Sequence, residues 1–83
     1  MYYVYLLEIN RPVRKYYIGF SSDLRKRIEQ HKKGLVGSTK NYLPIRLIYY
    51  EAFNNKYLAL KREKSLKHSG SAYFGLMKRL GLK

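Results

Sequence analysis

The stretch that decides the fold runs from Tyr16 to His31 and reads Tyr-Tyr-Ile-Gly-Phe-Ser-Ser-Asp-Leu-Arg-Lys-Arg-Ile-Glu-Gln-His. It opens with three strand-favouring residues and reaches Gly19, where we expect the strand to break. A helix should then begin, with Ser22 as its N-cap and Asp23 in its first turn, where the helix dipole stabilises a negative charge. The pattern predicts a strand that turns directly into a helix.

The same helix carries two stripes of side chains. Its apolar side is marked by Leu24, Ile28 and, past its end, Leu35. Asp23, Arg27 and His31 follow one another at intervals of four residues and form a second stripe beside it. A strand that turns into a helix exposes backbone N–H groups, so a guanidinium one turn later would complete a phosphate site. The simpler interpretation, which these residues alone favour, is a turn followed by a helix with an Asp23–Arg27 ion pair.

Net charge is the most informative total of this chain. Its 83 residues contain 18 Lys and Arg against 5 Asp and Glu, which gives a formal charge of +13. Self-repulsion of that size destabilises a compact state, so we expect a polyanionic partner. We favour nucleic acid over an anionic membrane surface, because the basic residues are spread over the whole chain. A basic protein without such a partner is the remaining alternative.

Length and composition exclude several classes of protein. Residues 1–83 are enough for one domain, and the absence of cysteine excludes disulfide frameworks and thiolate metal sites. The apolar run from Tyr2 to Leu7 is too short to span a bilayer, and no basic region precedes it. We therefore expect a cytoplasmic protein with no membrane association.

The chain as a whole predicts the element order ββαβαα. Strands are expected at Met1–Ile9, Lys15–Gly19 and Ile45–Phe53, with a turn at Asn10-Arg11-Pro12, and helices at Ser22–Lys33, Lys56–His68 and Ala72–Leu80. Gly34 should end the first helix, Asn54-Asn55 should cap the second, and Ser71 should cap the third. The first strand is apolar nearly throughout, as a central strand covered on both faces would be. Three strands with helices packed on them predict a compact α/β layer structure.

A polar loop from Gly34 to Pro44 separates the first helix from the third strand. It is long for so small a domain, and long loops in compact domains are often functional. Ser38, Thr39 and Lys40 all carry good donors for phosphate oxygens. The same residues also describe an ordinary surface loop, so both interpretations stay open.

Glu63 does not suit its place on the second helix. At about 100° per residue it projects among Ala59, Leu60 and Leu66, on the side that should face the sheet. A carboxylate there destabilises the fold unless it is paired or binds a cation. Pairing is available from the neighbouring bases Lys61, Arg62, Lys64 and Lys67. A single carboxylate is a weak metal signal by itself, because hard divalent cations require several oxygen ligands.

Four motifs in order resemble the GIY-YIG nuclease family. They are Tyr3-Val4-Tyr5, Tyr17-Ile18-Gly19, Asp23-Leu24-x-x-Arg27-x-x-x-His31, and Glu63 within Ala59-Leu-Lys-Arg-Glu-Lys. The resemblance covers nearly the whole chain and is closest to the small stand-alone bacterial members. In this chain Tyr3 stands where the first motif begins with glycine. The resemblance implies a three-stranded antiparallel sheet flanked by helices.

The family pattern also implies roles for five residues. Tyr5 and Tyr17 match the motif tyrosines, one acting as general base on the attacking water and the other orienting the water or the scissile phosphate. Arg27 would neutralise the pentavalent phosphate, and His31 matches a histidine one turn further on. Glu63 matches the carboxylate that holds one Mg²⁺ or Mn²⁺. Because free tyrosine has a pKa of about 10, a base role requires a lowered pKa, which dense positive charge and a metal would favour.

The resemblance therefore implies a metal-dependent DNA endonuclease that uses one metal ion. We expect Arg25, Ser38, Thr39 and Lys40 to contact the nucleic acid. Branched or otherwise structured DNA and a protein partner that supplies specificity are both expected candidates, and RNA stays open as a substrate. The alternatives are a non-catalytic nucleic-acid-binding module with this fold and a small basic RNA- or ribosome-associated protein.

Overall fold

A computed structural model describes residues 1–10, 13–40, 42 and 44–82 of the chain. The elements are β1 (Tyr2–Ile9), β2 (Lys15–Ser21), α1 (Leu24–Lys32), β3 (Ile45–Phe53), α2 (Lys56–His68) and α3 (Gly70–Arg79). The predicted order ββαβαα is confirmed, and the predicted bounds of β3 and α2 are those of the structure. The turn predicted at Asn10-Arg11-Pro12 falls partly outside the described residues.

The three strands form one antiparallel sheet in the order β2-β1-β3. β1 is the central strand, so its long apolar run is buried from both sides, as predicted. Successive side chains of a strand point to opposite faces. Val4 and Leu6 therefore face one layer of helices, while Tyr5 and Leu7 face the other, and all four are at most 2% exposed. The predicted fold class, a small three-stranded antiparallel sheet flanked by helices, is confirmed.

Each face of the sheet has its own hydrophobic core. The core under α2 and α3 contains Val4, Leu6, Ile18, Ala59, Leu66, Leu76 and Met77. The core under α1 contains Tyr5, Leu7, Ile9, Ile28 and Ile45. No helix in the described ranges is long and apolar enough to cross a membrane.

The strand–helix junction differs from its prediction in three details. β2 does not break at Gly19 but continues to Ser21, because the backbone of Gly19 pairs with Tyr5 of β1 despite the missing side chain. The N-cap of α1 is Asp23, whose carboxylate accepts a hydrogen bond from the backbone N–H of Lys26 at 3.1 Å. Leu35 is 70% exposed, so it lies outside the core.

The junction of α2 and α3 is tighter than predicted. Ser69 ends α2 and also caps α3, where its hydroxyl accepts from the backbone N–H of Ala72 at 3.4 Å. The predicted cap, Ser71, lies inside α3 and instead contacts the hydroxyl of Ser69 at 3.2 Å. One residue therefore serves both helices, which leaves no separate linker between them.

A network of polar side chains holds α2 and α3 against the outer strand β3. Both oxygens of Glu51 accept hydrogen bonds from Arg62, at 2.9 and 2.8 Å. The hydroxyl of Tyr49 donates to Glu51 at 2.7 Å and accepts from Arg79 at 2.7 Å. Burial disfavours the charge on Glu51, but the hydrogen bonds from Arg62 and Tyr49 outweigh it and hold the pKa of this carboxyl below its ordinary value.

We expect Glu51→Gln to lower the free energy of unfolding by about 1–3 kcal/mol at neutral pH, because it weakens a charge-assisted pair at the core's edge. A carboxyl whose pKa is depressed in the fold stabilises above its unfolded pKa of about 4.3, and that contribution disappears as the pH falls. The difference between variant and wild type should therefore shrink toward pH 3. Thermal unfolding at several pH values measures both effects.

The matched control is Glu8→Gln. Glu8 pairs with Arg46 at 2.9 Å and Arg14 at 3.5 Å, but those arginine side chains are 73% and 63% exposed. Its loss should be below about 1 kcal/mol. Equal effects of the two substitutions would contradict a structural role for the Glu51 network.

Candidate active site

Tyr5 lies at the centre of the site, on the central strand and only 2% exposed. Its ring extends across Gly19, its register partner on β2. A Cβ placed on Gly19 would come within 2.7 Å of Cε1 of Tyr5 and closer still to Cζ and the phenol oxygen. Gly19 is thus required for space: any side chain there would displace the phenol.

His31 meets the phenol of Tyr5 from the last turn of α1. Its Nε2 is 2.9 Å from the hydroxyl oxygen of Tyr5, and its Nδ1 is 2.7 Å from the hydroxyl oxygen of Thr39. His31 and Thr39 are both fully buried. The interior of the α1 face therefore contains a continuous chain of three polar side chains, Tyr5, His31 and Thr39.

Tyr17 completes an aromatic cluster with Tyr5 and His31. Its ring centroid is 5.4 Å from that of His31 and 6.4 Å from that of Tyr5. Unlike Tyr5, it is only half-buried, and it lines an open groove of about 420 Å³ together with Lys67. The Nζ of Lys67 is 5.9 Å from the centroid of the Tyr17 ring, close enough for a weak cation–π contact. Tyr17 therefore connects the buried cluster with the surface.

Arg27 and Glu63 act on the cluster through their charges. Burial raises the pKa of the Tyr5 phenol well above its ordinary value; Tyr17 and Glu63 add to the rise, and Arg27 opposes it. For Tyr5, burial therefore outweighs the positive charge that would lower the pKa. Burial also lowers the pKa of His31, and the guanidinium of Arg27 lowers it further. Both shifts favour the uncharged forms, the phenol of Tyr5 and the neutral imidazole of His31.

Glu63 has the ion pair that its neighbours predicted. Its carboxylate is 3.1 Å from the Nζ of Lys67, one turn further along α2, and its side chain is 19% exposed. No group of three or more His, Cys, Asp or Glu that could enclose a metal occurs in the part of the chain that the structure describes. One partly exposed carboxylate fits a hard cation that keeps waters and takes substrate phosphate oxygens, as Mg²⁺ does.

The predicted Asp23–Arg27 ion pair does not form between these two described residues, because the Asp23 carboxylate caps α1 instead. The guanidinium of Arg27 is therefore not engaged by Asp23. It is half-buried, one turn before His31 on the same helix. This placement is compatible with a phosphate-binding role. The alternative, a turn and helix with an Asp23–Arg27 ion pair, lacks that ion pair in the structure.

The predicted nucleic-acid contacts lie in different environments. Arg25, Ser38 and Lys40 are exposed, so they are open to solvent beside α1 and in the following loop. Thr39 is buried and its hydroxyl is engaged by His31, so it does not face a phosphate in this structure. The sequence carries no local signal for the burial of Thr39, because Ser38 beside it carries the same hydroxyl group and is exposed.

Comparisons with known proteins found similar sequences. A family model described as the GIY-YIG catalytic domain matches residues 1–76. A UPF0213 protein of Streptococcus pyogenes serotype M5 (strain Manfredo) is 36% identical over 66 residues, covering 78% of this chain and 70% of its own. A UPF0213 protein of Streptococcus pneumoniae serotype 4 is 38% identical over 66 residues, covering 78% and 65%. No solved structure gives a significant match.

We expect Gly19→Ala to destabilise the protein by about 1–3 kcal/mol, the usual range for overpacking a filled core. The added methyl group must push the Tyr5 ring away from β2 and thereby disturb its bond to His31. Denaturant unfolding measures the loss, and the NMR signals of the Tyr5 and His31 rings report the displacement.

Gly75→Ala is the control, because a Cβ at Gly75 meets nothing within 4 Å. That change lies inside α3 and should stabilise the helix by about 0.5–1 kcal/mol. If Gly19→Ala were as stable as Gly75→Ala, the close packing of Tyr5 on Gly19 would be contradicted.

Proposed function

This chain belongs to the GIY-YIG family, and from that membership we propose that it is an endonuclease hydrolysing DNA phosphodiester bonds with one divalent metal ion. The observation that carries the proposal is the contact of Tyr5, Tyr17 and His31 in one cluster, within range of the charges of Arg27 and Glu63. A protein that only binds nucleic acid needs positive charge but no such convergence. We further propose that residues 1–83 act as one nuclease domain in the cytoplasm.

Hydrolysis of a phosphodiester requires an activated water and neutralisation of the charge on the phosphoryl oxygens. In this proposal His31 is the final proton acceptor, because its lowered pKa favours the neutral imidazole and its Nε2 contacts the phenol of Tyr5. The proton of the attacking water passes to the Tyr5 oxygen as the phenol proton passes to Nε2. The water oxygen then bonds to phosphorus while the bridging P–O bond breaks, and the leaving oxygen takes a proton from solvent.

Tyr17 and Arg27 position the substrate in this scheme. Tyr17 is the more exposed of the two tyrosines, so its hydroxyl can hold the water or a phosphate oxygen at the edge of the cluster. Arg27 offers a planar guanidinium that can bind two phosphate oxygens at once. Arg25, Ser38 and Lys40 would contact the flanking backbone of the nucleic acid.

Glu63 would hold the divalent ion, Mg²⁺ or Mn²⁺, on which proteins of this family generally depend. When bound, the ion supplies positive charge beside the phosphate and the leaving oxygen. Lys67 must share or release the carboxylate that it now contacts. Structured DNA, RNA and a protein partner that adds specificity are all proposed extensions of this activity.

The second candidate is a nucleic-acid-binding module without catalysis. One observation favours it: Glu63 already has a salt-bridge partner in Lys67, as expected if the carboxylate were only structural. The two candidates differ in what removal of the Glu63 charge should do.

We expect Glu63→Gln to reduce cleavage about a hundredfold or more, because it removes the anionic ligand of the metal and keeps the shape of the side chain. DNA binding should be equal or slightly tighter, since one repelling charge is gone. The assay compares wild type and variant on single-stranded, duplex, flap and branched DNAs, with and without Mg²⁺ or Mn²⁺. The control is Glu29→Gln, an exposed position on α1.

Two results together would favour the binding module. The wild type would cut none of the substrates with either metal, and Glu63→Gln would bind DNA but melt at a lower temperature. Metal-dependent cleavage that Glu63→Gln leaves intact would remove Glu63 from the proposed metal site.

For Arg27→Lys we expect turnover to fall by about 10- to 100-fold with DNA affinity largely kept. Lysine keeps the charge but cannot grip two phosphate oxygens in a planar fork. Single-turnover rates and equilibrium binding separate the two effects. Arg14→Lys, an exposed position outside the proposed site, is the control and should cleave at the wild-type rate. Equal rates for both variants would make Arg27 an ordinary surface residue.

A further inference from the structure

Thr39, in the loop between α1 and β3, lies in the interior of the protein. Thr39 is fully buried, whereas its neighbours Ser38 and Lys40 are exposed. The backbone holds it there: its N–H donates to the carbonyl of Val36 at 3.1 Å, and its carbonyl accepts from Tyr42 at 2.9 Å. The hydroxyl of Thr39 is therefore presented to Nδ1 of His31 by a folded turn, not by a freely moving loop.

The donors and acceptors of Tyr5, His31 and Thr39 indicate the direction of the two hydrogen bonds between these side chains. A buried phenol needs an acceptor for its proton, and among the described residues Tyr5 has one hydrogen-bond partner, Nε2 of His31 at 2.9 Å. A neutral imidazole carries its single proton on one nitrogen only. If Nε2 accepts from Tyr5, the proton lies on Nδ1 and points at the Thr39 hydroxyl, 2.7 Å away.

We propose that Thr39 is a positioning residue, whose hydroxyl accepts the Nδ1 proton of His31 and thereby holds the Nε2 lone pair toward the phenol of Tyr5. This inference rests on the proposed nuclease function for its catalytic consequence. The tautomer itself follows from the contacts of these three side chains. It also explains why this loop residue is buried while the residues on either side of it are exposed.

Which ring nitrogen of His31 carries the proton decides whether His31 can accept a proton from Tyr5. With the proton on Nδ1, Nε2 is free to take the proton of Tyr5 as the water attacks. With the proton on Nε2, the imidazole would donate to Tyr5 and could accept nothing from it. In the low-dielectric interior an unsatisfied N–H is strongly disfavoured, so an acceptor at Thr39 shifts the balance between the two forms. The hydroxyl suits this place because it accepts a hydrogen bond without carrying charge.

Two substitutions of similar size separate this role from simple packing. Thr39→Val keeps the shape but removes the acceptor, and Thr39→Ser keeps the acceptor but removes a methyl group. We expect Thr39→Val to lower kcat about tenfold or more, with the Kd for DNA unchanged, and Thr39→Ser to cut near the wild-type rate. Loss of packing alone would predict that the serine variant is affected as well.

The tautomer is read directly by two-bond ¹H–¹⁵N correlation NMR of the ¹⁵N-labelled protein. His31 should show the Nδ1–H pattern in wild type and Thr39→Ser, and should lose it in Thr39→Val. The chain's other histidine, His68, is exposed and serves as internal reference. If Thr39→Val fails to fold, the wild-type and serine spectra with their cleavage rates still decide the proposal.

An Nε2–H pattern for His31 in wild type would overturn the assignment. Wild-type kcat in Thr39→Val would overturn the positioning role even with the tautomer confirmed. A wild-type protein that cleaves no nucleic acid but shows the Nδ1–H pattern would refute the nuclease proposal and leave the hydrogen-bond assignment standing. The two proposals therefore fail in distinguishable ways.

Discussion

The burial of β1 on both faces is the constraint on which the rest of the molecule depends. A central strand covered by two layers must place every second side chain in each core. Apolar residues meet this demand easily, but Tyr5 brings a hydroxyl into the interior. That hydroxyl requires a partner, which is His31, and the second nitrogen of His31 requires Thr39. One polar atom on the central strand therefore determines what α1 and the following loop must supply.

The acidic residues of the molecule mostly have structural roles, whereas the basic residues give it a large excess of positive charge. Three acidic side chains form ion pairs: Glu8 with Arg14 and Arg46, Glu51 with Arg62, and Glu63 with Lys67. A fourth, Asp23, caps α1. Nearly all the negative charge of the described residues is thus used locally, and in the sequence eighteen basic residues outnumber five acidic ones. A net charge of +13 on so small a chain is consistent with a polyanionic substrate that removes the repulsion on binding.

Periodicity was sufficient to predict the element order, the central position of β1 and the bounds of β3 and α2. It failed where two residues offer the same local chemistry. Asp23 and Ser22 can both cap a helix, and only tertiary packing decides between them; the same holds for Ser69 and Ser71. The motif residues of the site were found by resemblance, but the raised pKa of Tyr5 and the inward turn of Thr39 depend on burial, which no local pattern encodes.

The packing of Tyr5 on Gly19 has a consequence for how this protein can change over evolutionary time. The two side-chain positions share one volume, although they lie fourteen positions apart along the chain. A mutation that adds a side chain at position 19 is tolerated only after position 5 has become smaller, and that first step removes the phenol. The tyrosine and the glycine are therefore epistatic partners: a lineage that loses one is released from the constraint on the other, and the pair should drift together in relatives that have abandoned catalysis.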